Sequence, residues 1–352
     1  MHNENFKSLL GTALPIIQSP MAGVQGSELA IAVCKAGGLG SLPCGMLNID
    51  DIINEIVVIK EATGTPYNLN FFCHDMPDYD ENQHVKWQAK LKPYFTELGI
   101  ECESRPQSAN RTPFNHDIAD AIEPFHPEFI SFHFGLPDKE LLNRVKRWGA
   151  KIVSSATTIE EAVWLESKGV DGIIAQGSEA GGHRGMFLSG DIATQMTMSD
   201  LVSQMANKVK VPIIAAGGIC DSQTVKAALM HGAEAVQVGT AYLLCSEAKT
   251  SQLHRSALKS EKSQHTALTN VFSGRPARGI VNRAMKELGY INTSAPVFPY
   301  ASIEMTQLRA HFEKQGDAGF SPLWCGDNTS GCKEISAIEL TRRLVKDINR
   351  KV

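Results

Sequence analysis

The sequence lacks the features that would mark a membrane, secreted or nucleic-acid-binding protein. No apolar run approaches the roughly 20 residues of a membrane-spanning helix. The beginning of the chain, MHNENFKSLLGTALP, has no basic segment followed by an apolar one, as a secretory signal would. The formal charge of −4 provides no general attraction for nucleic acid. We therefore predict a cytoplasmic protein without membrane or nucleic-acid partners.

The cysteines and histidines show no spacing typical of a disulfide framework or a metal site. Without a C-x-x-C pair, the eight cysteines are expected to be reduced and mostly buried: Cys34, Cys44, Cys73, Cys102, Cys220, Cys245, Cys325 and Cys332. No H-x-H, H-E-x-x-H or acidic cluster follows an apolar run. We therefore predict no metal site, and a metal hydrolase is disfavoured.

Eight short apolar runs alternate with segments of helical spacing. The runs cover residues 14–18, 39–43, 67–72, 129–134, 151–156, 172–176, 212–217 and 235–239. The helical patterns cover residues 27–36, 49–62, 138–148, 158–168, 198–208 and 222–231. Apolar strands that alternate with helices indicate a parallel sheet with covered faces, and eight such units close a barrel. Because no G-x-G-x-x-G follows the first strand, we predict a (β/α)₈ TIM barrel rather than an open doubly wound sheet.

Two long segments exceed what a minimal barrel needs. The first, at about residues 73–116, predicts an insert after the third strand with a helix near residues 84–98. The second follows the eighth strand, and we predict helices within it over residues 273–288 and 302–316. The expected organisation is a barrel over residues 1–245 and a helical extension over residues 246–352 that caps the barrel mouth.

A glycine-rich stretch, QGSEAGGHRG, begins at the end of the predicted sixth strand and contains His183. Active sites of such barrels lie where strands end and loops begin. Glycines allow the backbone to approach a ligand closely, and histidine exchanges a proton near neutral pH. We therefore predict that His183 lies at the catalytic mouth of the barrel and is catalytic, with a purely structural role as the alternative.

The seventh and eighth strands also end in glycine-containing loops, AAGGIC and QVGTAY. Barrel phosphate sites recur in these two loops, where glycine amides present donors to an anion. Gly217, Gly218, Gly239 and Thr240 are the predicted phosphate-binding residues. The alternative is that these glycines only form tight turns.

Seven motifs together resemble the nitronate monooxygenases, formerly called 2-nitropropane dioxygenases. They are PIIQSPMAG, NLNFF, SFHFGLP, AQGSEAGGHRG, PIIAAGGI, QVGTAYL and FSGRPARGIVN, and they extend from residue 15 to residue 282. The resemblance implies an FMN-dependent barrel that oxidises alkyl nitronates, such as propionate 3-nitronate, with O2. The implied products are nitrite and a carbonyl compound, and no nicotinamide cofactor is used.

The resemblance also implies roles for individual residues. His183 would be catalytic and His133 a second residue of the substrate pocket. The residues that would hold FMN are Met21, Ala22, Asn70, Gln176, Gly181, Gly182, Gly217, Gly218, Gln237, Gly239 and Thr240. Structural roles remain open for two of these residues. His133 could be a core residue, and Asn70 could bridge backbone groups. Arg275 and Arg278 could attract an anionic substrate, although a solvated helix start or a salt bridge is the expected role.

Three functions are compatible with these patterns. The first is the FMN-dependent nitronate monooxygenase, with a small nitronate and O2 as partners and a homo-oligomer as an option. The second is an NAD(P)H-dependent flavin reductase of the same barrel type, such as an enoyl-acyl-carrier reductase or a quinone reductase. The third is a non-catalytic barrel that binds a phosphorylated ligand. The fold alone does not separate them, because one fold hosts many activities.

Overall fold

The described structure consists of eleven strands and thirteen α-helices. A computed structural model describes residues 5–103 and 111–346. The strands are β1 (Ile16–Gln18), β2 (Ser41–Pro43), β3 (Asn68–Phe72), β4 (Phe129–His133), β5 (Lys151–Ala156), β6 (Gly172–Gln176), β7 (Gly182–His183), β8 (Ile213–Ala216), β9 (Ala235–Val238), β10 (Thr266–Thr269) and β11 (Ala277–Ile280). The helices are α1 (Asn5–Leu10), α2 (Ser27–Ala36), α3 (Ile49–Ala62), α4 (Glu81–Leu98), α5 (His116–Ile122), α6 (Lys139–Arg147), α7 (Ile159–Ser167), α8 (Met198–Met205), α9 (Ser222–Met230), α10 (Gln252–Leu258), α11 (Arg283–Leu288), α12 (Ser302–Lys314) and α13 (Ala337–Leu344). Residues 1–4 of the predicted barrel, 104–110 of the predicted insert and 347–352 of the predicted extension lie outside the described residues.

Eight parallel strands form the predicted TIM barrel. Their order around the sheet is β1-β9-β8-β6-β5-β4-β3-β2. A parallel bridge between Ile17 and Leu39 joins the two ends of this sheet. All eight predicted strands and the six predicted helices between them are present, so the fold prediction is confirmed.

Local signals set the helix starts of the barrel. The side chains of Asn48, Asp138, Thr158 and Asp221 accept hydrogen bonds from backbone N–H groups in the first turns of α3, α6, α7 and α9. α2 begins after a glycine, and the Glu55 carboxylate instead accepts a hydrogen bond from the Ser27 N–H at 2.7 Å. The amino end of the barrel is filled by α1, whose Phe6, Leu9 and Leu10 side chains cluster with inward-facing strand residues.

The predicted insert and extension form a second apolar core. Trp87 and Phe95 of α4 pack with Leu308 and Phe312 of α12, so the insert after β3 meets the chain's tail. Residues 266–332, here called the cover, contain β10, β11, α11 and α12. The last helix, α13, packs against α2 and α9 instead, where an eighth barrel helix belongs. The predicted division at residue 245 stays a prediction, and it did not include this return of the chain to the barrel.

The predicted helix over residues 273–288 is wrong in its first half. Residues 277–280 form β11, which pairs antiparallel with both β10 and β7, and only residues 283–288 are helical. Gly274 has a left-handed backbone (φ +90°), and a Cβ there would overlap the carbonyl oxygen of Pro296. A strand forms because β7 offers a partner from a distant part of the chain, which overrides the local pattern.

Candidate functional site

A cavity of about 280 Å³ lies at the carboxyl ends of the barrel strands. Every residue that the sequence predicted for the site lines it: Met21, Ala22, Asn70, His133, Gln176, Gly181, Gly182, His183, Gly217, Gly218, Gln237, Gly239 and Thr240. The structure thus brings together residues from the ends of six different strands. Their individual roles stay predictions.

The loops after β8 and β9 present bare backbone to the cavity. Gly217 and Gly218 have φ values of +123° and +68°, a region that favours glycine. At Gly239 a Cβ would lie 3.3 Å from Cβ of Ser19 and 3.8 Å from Sδ of Met21. Because glycine has no side chain, a phosphate group can come close to the backbone N–H groups of these loops.

Three amide side chains differ in how much of their bonding capacity is already used. Asn70 donates to the carbonyl oxygen and the hydroxyl of Ser131 at 3.2 and 2.9 Å, as its bridging alternative describes. Gln176 donates to the carbonyl oxygen of His183 at 3.0 Å and accepts from the N–H of Gly185 at 2.7 Å. In the part of the chain that is described, Oε1 of Gln237 is buried and has no hydrogen-bond partner. A buried acceptor of this kind costs about 1–3 kcal/mol, so the cavity suits a ligand that carries an N–H donor.

The loop after β6 is held in place despite its glycines. Within it, β7 pairs with β11, so that His183 lies opposite Ala277. The fully buried Arg184 side chain donates to the carbonyl oxygens of Gln176 and Gly177 at 2.7 and 2.8 Å. Its Nε also donates to Oε1 of Gln195 at 2.8 Å. Arg184 therefore stabilises the loop that carries His183, a role that the sequence pattern did not indicate.

His183 is fixed from both of its sides. Nε2 of its ring lies 2.8 Å from the hydroxyl of Ser273, which is buried in the cover. The His183 carbonyl oxygen lies 3.2 Å from Nε2 of His133, and the hydroxyl of Ser155 lies 3.0 Å from Nδ1 of the same ring. Since a carbonyl oxygen only accepts, the His133 ring carries its hydrogen on Nε2.

Burial keeps the histidines of this site neutral. It lowers the pKa of His183 well below its usual range, and the charge of Arg111 lowers that pKa further. Burial also lowers the pKa of His133 to about 3. Arg111 lines the cavity, and Arg275 lies behind the ring of Phe134. With neutral imidazoles and nearby guanidinium groups, this end of the cavity carries positive charge at neutral pH and favours an anion.

The cover supplies residues that sequence reasoning missed. Residues 321–326 and Asn328 line the cavity, and the rings of Phe298 and Trp324 lie 5.5 and 5.6 Å from the His183 ring. The N–H of Gly326 donates to the hydroxyl of Thr240 at 2.8 Å, and Asn328 donates to the carbonyl oxygen of Gly218 at 3.0 Å. Only Ser273 had a signal, because it lies in the motif FSGRPARGIVN.

The expected roles of Arg275 and Arg278 need correction. Neither residue begins a helix, and no salt bridge of either is found among the described residues. Arg278 lies in β11 and donates to the carbonyl oxygen of Ser178 and the hydroxyl of Thr266 at 2.8 and 3.2 Å. Arg275 donates to the carbonyl oxygen of Met186. Both side chains are partly buried by the three-stranded sheet, which the sequence did not reveal.

Comparisons with known proteins point to one enzyme family. The sequence model of the nitronate monooxygenase family matches residues 3–347. The chain is 37% identical to a nitronate monooxygenase of Pseudomonas aeruginosa, over 98% of this chain and 99% of that one. It is similar to the crystal structures of nitroalkane oxidase from Streptomyces ansochromogenes, with a TM-score of 0.87, 35% identity and coverage of 98% and 97%. FabK from Thermotoga maritima has a TM-score of 0.73 at 23% identity, with coverage of 97% and 94%, and this likeness concerns the fold alone.

No helix among the described residues is long and apolar enough to cross a membrane. The same residues contain no group of three His, Cys, Asp or Glu side chains that could hold a metal ion. The eight cysteines are all free thiols.

Proposed function

Because the chain belongs to the nitronate monooxygenase family, we propose that it binds FMN and oxidises alkyl nitronates with O2. The products are nitrite and a carbonyl compound, propionate 3-nitronate is a candidate substrate, and NAD(P)H is not used. The observation that carries the proposal is that one cavity is lined both by His183 and by the glycine loops after β8 and β9. Family membership makes the chain an oxidoreductase, which removes the non-catalytic barrel from the three functions.

The lining of the cavity fits FMN. Gly217, Gly218, Gly239 and Thr240 would hold the phosphate, and Gly181 and Gly182 would border the ribityl chain. Met21 and Ala22 would flank the isoalloxazine ring, and its polar edge would meet Asn70, Gln176 and the unpartnered Oε1 of Gln237. When bound, FMN supplies the electron transfer and the oxygen chemistry.

The protein residues bind and orient the substrate. A nitronate is an anion, and the charge that attracts it comes from Arg111, since His183 is neutral at physiological pH. The Ser273 hydroxyl lies 3.3 Å from the carbonyl oxygen of Arg275 and donates to it, so it accepts from Nε2–H of His183. This arrangement leaves the lone pair on Nδ1 of His183, where it can take the α-proton of a neutral nitroalkane. Phe298 and Trp324 keep water from the ring.

The test distinguishes this function from the NAD(P)H-dependent reductase. The flavin is released from the purified protein and identified by mass, and the holoprotein is then mixed anaerobically with ethyl nitronate or with NADH. We expect FMN, and we expect the yellow colour to bleach with the nitronate and to persist with NADH. Bleaching by NADH or NADPH alone, with no response to nitronates, would assign the chain to the reductase branch. A cytoplasmic location and a homo-oligomeric state remain predictions from the sequence.

A further inference from the structure

A second cavity of about 290 Å³ lies beside the catalytic one and opens toward solvent. It is lined by the segment after β3, the loop after β7 and the cover. The residues that matter for its chemistry are His74, Met186, Gly190, Arg275 and Phe298. None of the residues proposed to hold FMN or the substrate lines this cavity.

A wall one aromatic ring thick separates the two cavities. The rings of Phe134 and Phe298 lie 6.2 and 5.5 Å from the His183 ring. Each ring also contacts a group of the second cavity: the Arg275 guanidinium lies 4.0 Å from the centroid of Phe134, and the centroid of the His74 ring lies 4.8 Å from that of Phe298. Phe134 has a left-handed backbone (φ +70°), a strained conformation for an aromatic residue. The surrounding contacts hold this ring in the wall despite the strain.

The second cavity contains a cation that forms no salt bridge among the described residues. The Arg275 side chain is half-buried, and burial lowers its pKa to about 10, so it is charged at neutral pH. Within residues 5–103 and 111–346, no carboxylate forms a salt bridge with it. Its one hydrogen bond, from Nη2 to the Met186 carbonyl oxygen, leaves most of the guanidinium donors available. The Glu161 carboxylate attracts this charge from a distance, but its oxygens already accept hydrogen bonds from Thr157, Phe187 and Leu188. A partly desolvated charge of this kind is stabilised further by an anion in direct contact with it.

His74 lines the same cavity but offers it no donor, because both of its ring nitrogens are buried. Burial lowers the pKa of His74 to about 4, against the opposing effects of the Asp75 charge and the Arg111 backbone, so the ring is neutral at pH 7. The ring therefore adds no charge to the cavity. The one carboxylate on the cavity, that of Asp75, belongs to an exposed residue of the rim. The interior therefore offers donors and positive charge.

We propose that the second cavity is a binding site for a small monovalent oxyanion, of the size of nitrite or formate, held by the Arg275 guanidinium. The planar fork of a guanidinium suits two oxygens of such an anion. The site itself does not depend on the proposed function. Only the assignment of nitrite, the reaction product, as its natural occupant rests on that function.

The test measures binding without turnover. Sodium nitrite and sodium formate are titrated into the holoprotein at constant ionic strength set with sodium gluconate, with the thermal unfolding midpoint and calorimetric heat as readouts. We expect saturable binding of both anions. In Arg275→Leu, the loss of charged hydrogen bonds should weaken binding at least about tenfold. Because that variant could disturb the wall, Gly190→Glu provides a second test: a side chain at Gly190 meets nothing within 4 Å, and its carboxylate would repel the anion at the rim.

A matched control is Gly64→Glu, at another glycine with open space around it, outside both cavities. It should bind both anions with the wild-type affinity. The proposal is overturned if wild type shows no saturable binding, or if Gly190→Glu and Gly64→Glu bind equally well. It is also overturned if Arg111→Lys abolishes binding and Arg275→Leu does not, since the anion would then lie in the catalytic cavity. These binding measurements can be interpreted even if the protein does not oxidise nitronates, because none of them requires turnover.

Discussion

The floor and the cover of the catalytic cavity are built in different ways. The floor consists of strand ends of the barrel, and it offers glycine backbone and amide side chains over short stretches of sequence. The cover approaches from residues 266–332 and contributes Ser273, Phe298 and Trp324 to the surroundings of one ring, His183. In the proposed function the floor holds the cofactor, and the cover orients His183 for the chemistry. If this comparison is correct, changes in the floor remove the flavin and changes at the junction remove turnover.

The largest effect is expected from Gly218→Glu in the floor. The residue has a left-handed backbone, and its new Cβ would lie 3.5 Å from Cβ of Glu179 and 4.0 Å from Oδ1 of Asp327. Backbone strain and a new negative charge, added beside the carboxylates of Glu179 and Asp327 at the proposed phosphate site, should lower flavin affinity about a hundredfold or more. We expect the variant to purify colourless, as measured by the ratio of flavin to protein absorbance, while Gly64→Glu stays yellow. Full flavin retention would place the phosphate elsewhere.

His183→Asn, at the junction of floor and cover, should leave the floor intact. Loss of the proposed base should lower turnover of nitroethane by about 10²- to 10⁴-fold, because general base catalysis contributes factors of this size. The measurements are nitrite release and flavin content, and the latter should match wild type. A colourless variant would instead show that the His183 ring is needed for flavin binding, which would contradict the assignment of that role to the floor alone.

Ser273→Ala tests the cover with a smaller change. It removes the hydroxyl 2.8 Å from Nε2 of His183 and leaves the floor untouched. Loss of one oriented hydrogen bond should reduce kcat about tenfold, with unchanged flavin content. The control is Thr293→Ala, which removes an exposed hydroxyl of the same cover and should keep wild-type kcat. Equal rates in both variants would mean that the floor alone orients the ring.

Acidification below about pH 6.5 should destabilise the fold, because burial keeps several histidines neutral in it. Burial holds the pKa of His183 well below its usual range, that of His74 and His254 at about 4, and that of His133 at about 3. Below pH 6.5 these histidines gain protons only in the unfolded chain, so each costs about 1.4 kcal/mol of stability per pH unit. The raised pKa of Glu304, about 7, acts in the opposite direction but involves one group. We expect the thermal midpoint to fall from pH 7 to pH 5, and a constant midpoint would contradict the burial of these rings.

Most of the floor could be predicted from the sequence, and most of the cover could not. Strand periodicity, helix caps and the position of glycines at strand ends are local signals, and they located Gly218 and His183 correctly in one cavity. The partner of His183 is 90 residues away in the chain, and β7 consists of two residues that pair only because β11 lies beside them. Arg275 was misjudged for the same reason, since its burial depends on Phe134 and Met186. Contacts of this kind arise from tertiary structure and leave no periodic pattern.

Oxygen uptake measured together with nitrite release is the decisive experiment for the proposed monooxygenase activity. The purified yellow protein is given propionate 3-nitronate or ethyl nitronate in air, with no nicotinamide added, and the His183→Asn variant with the same flavin content is measured in parallel. We expect rapid oxygen uptake accompanied by nitrite release, and with nitroethane in place of the nitronate we expect the wild-type protein to react faster than the variant. A flavin-loaded protein that consumes no oxygen with any nitronate, or that does so only when NADH or NADPH is present, would contradict the proposed activity.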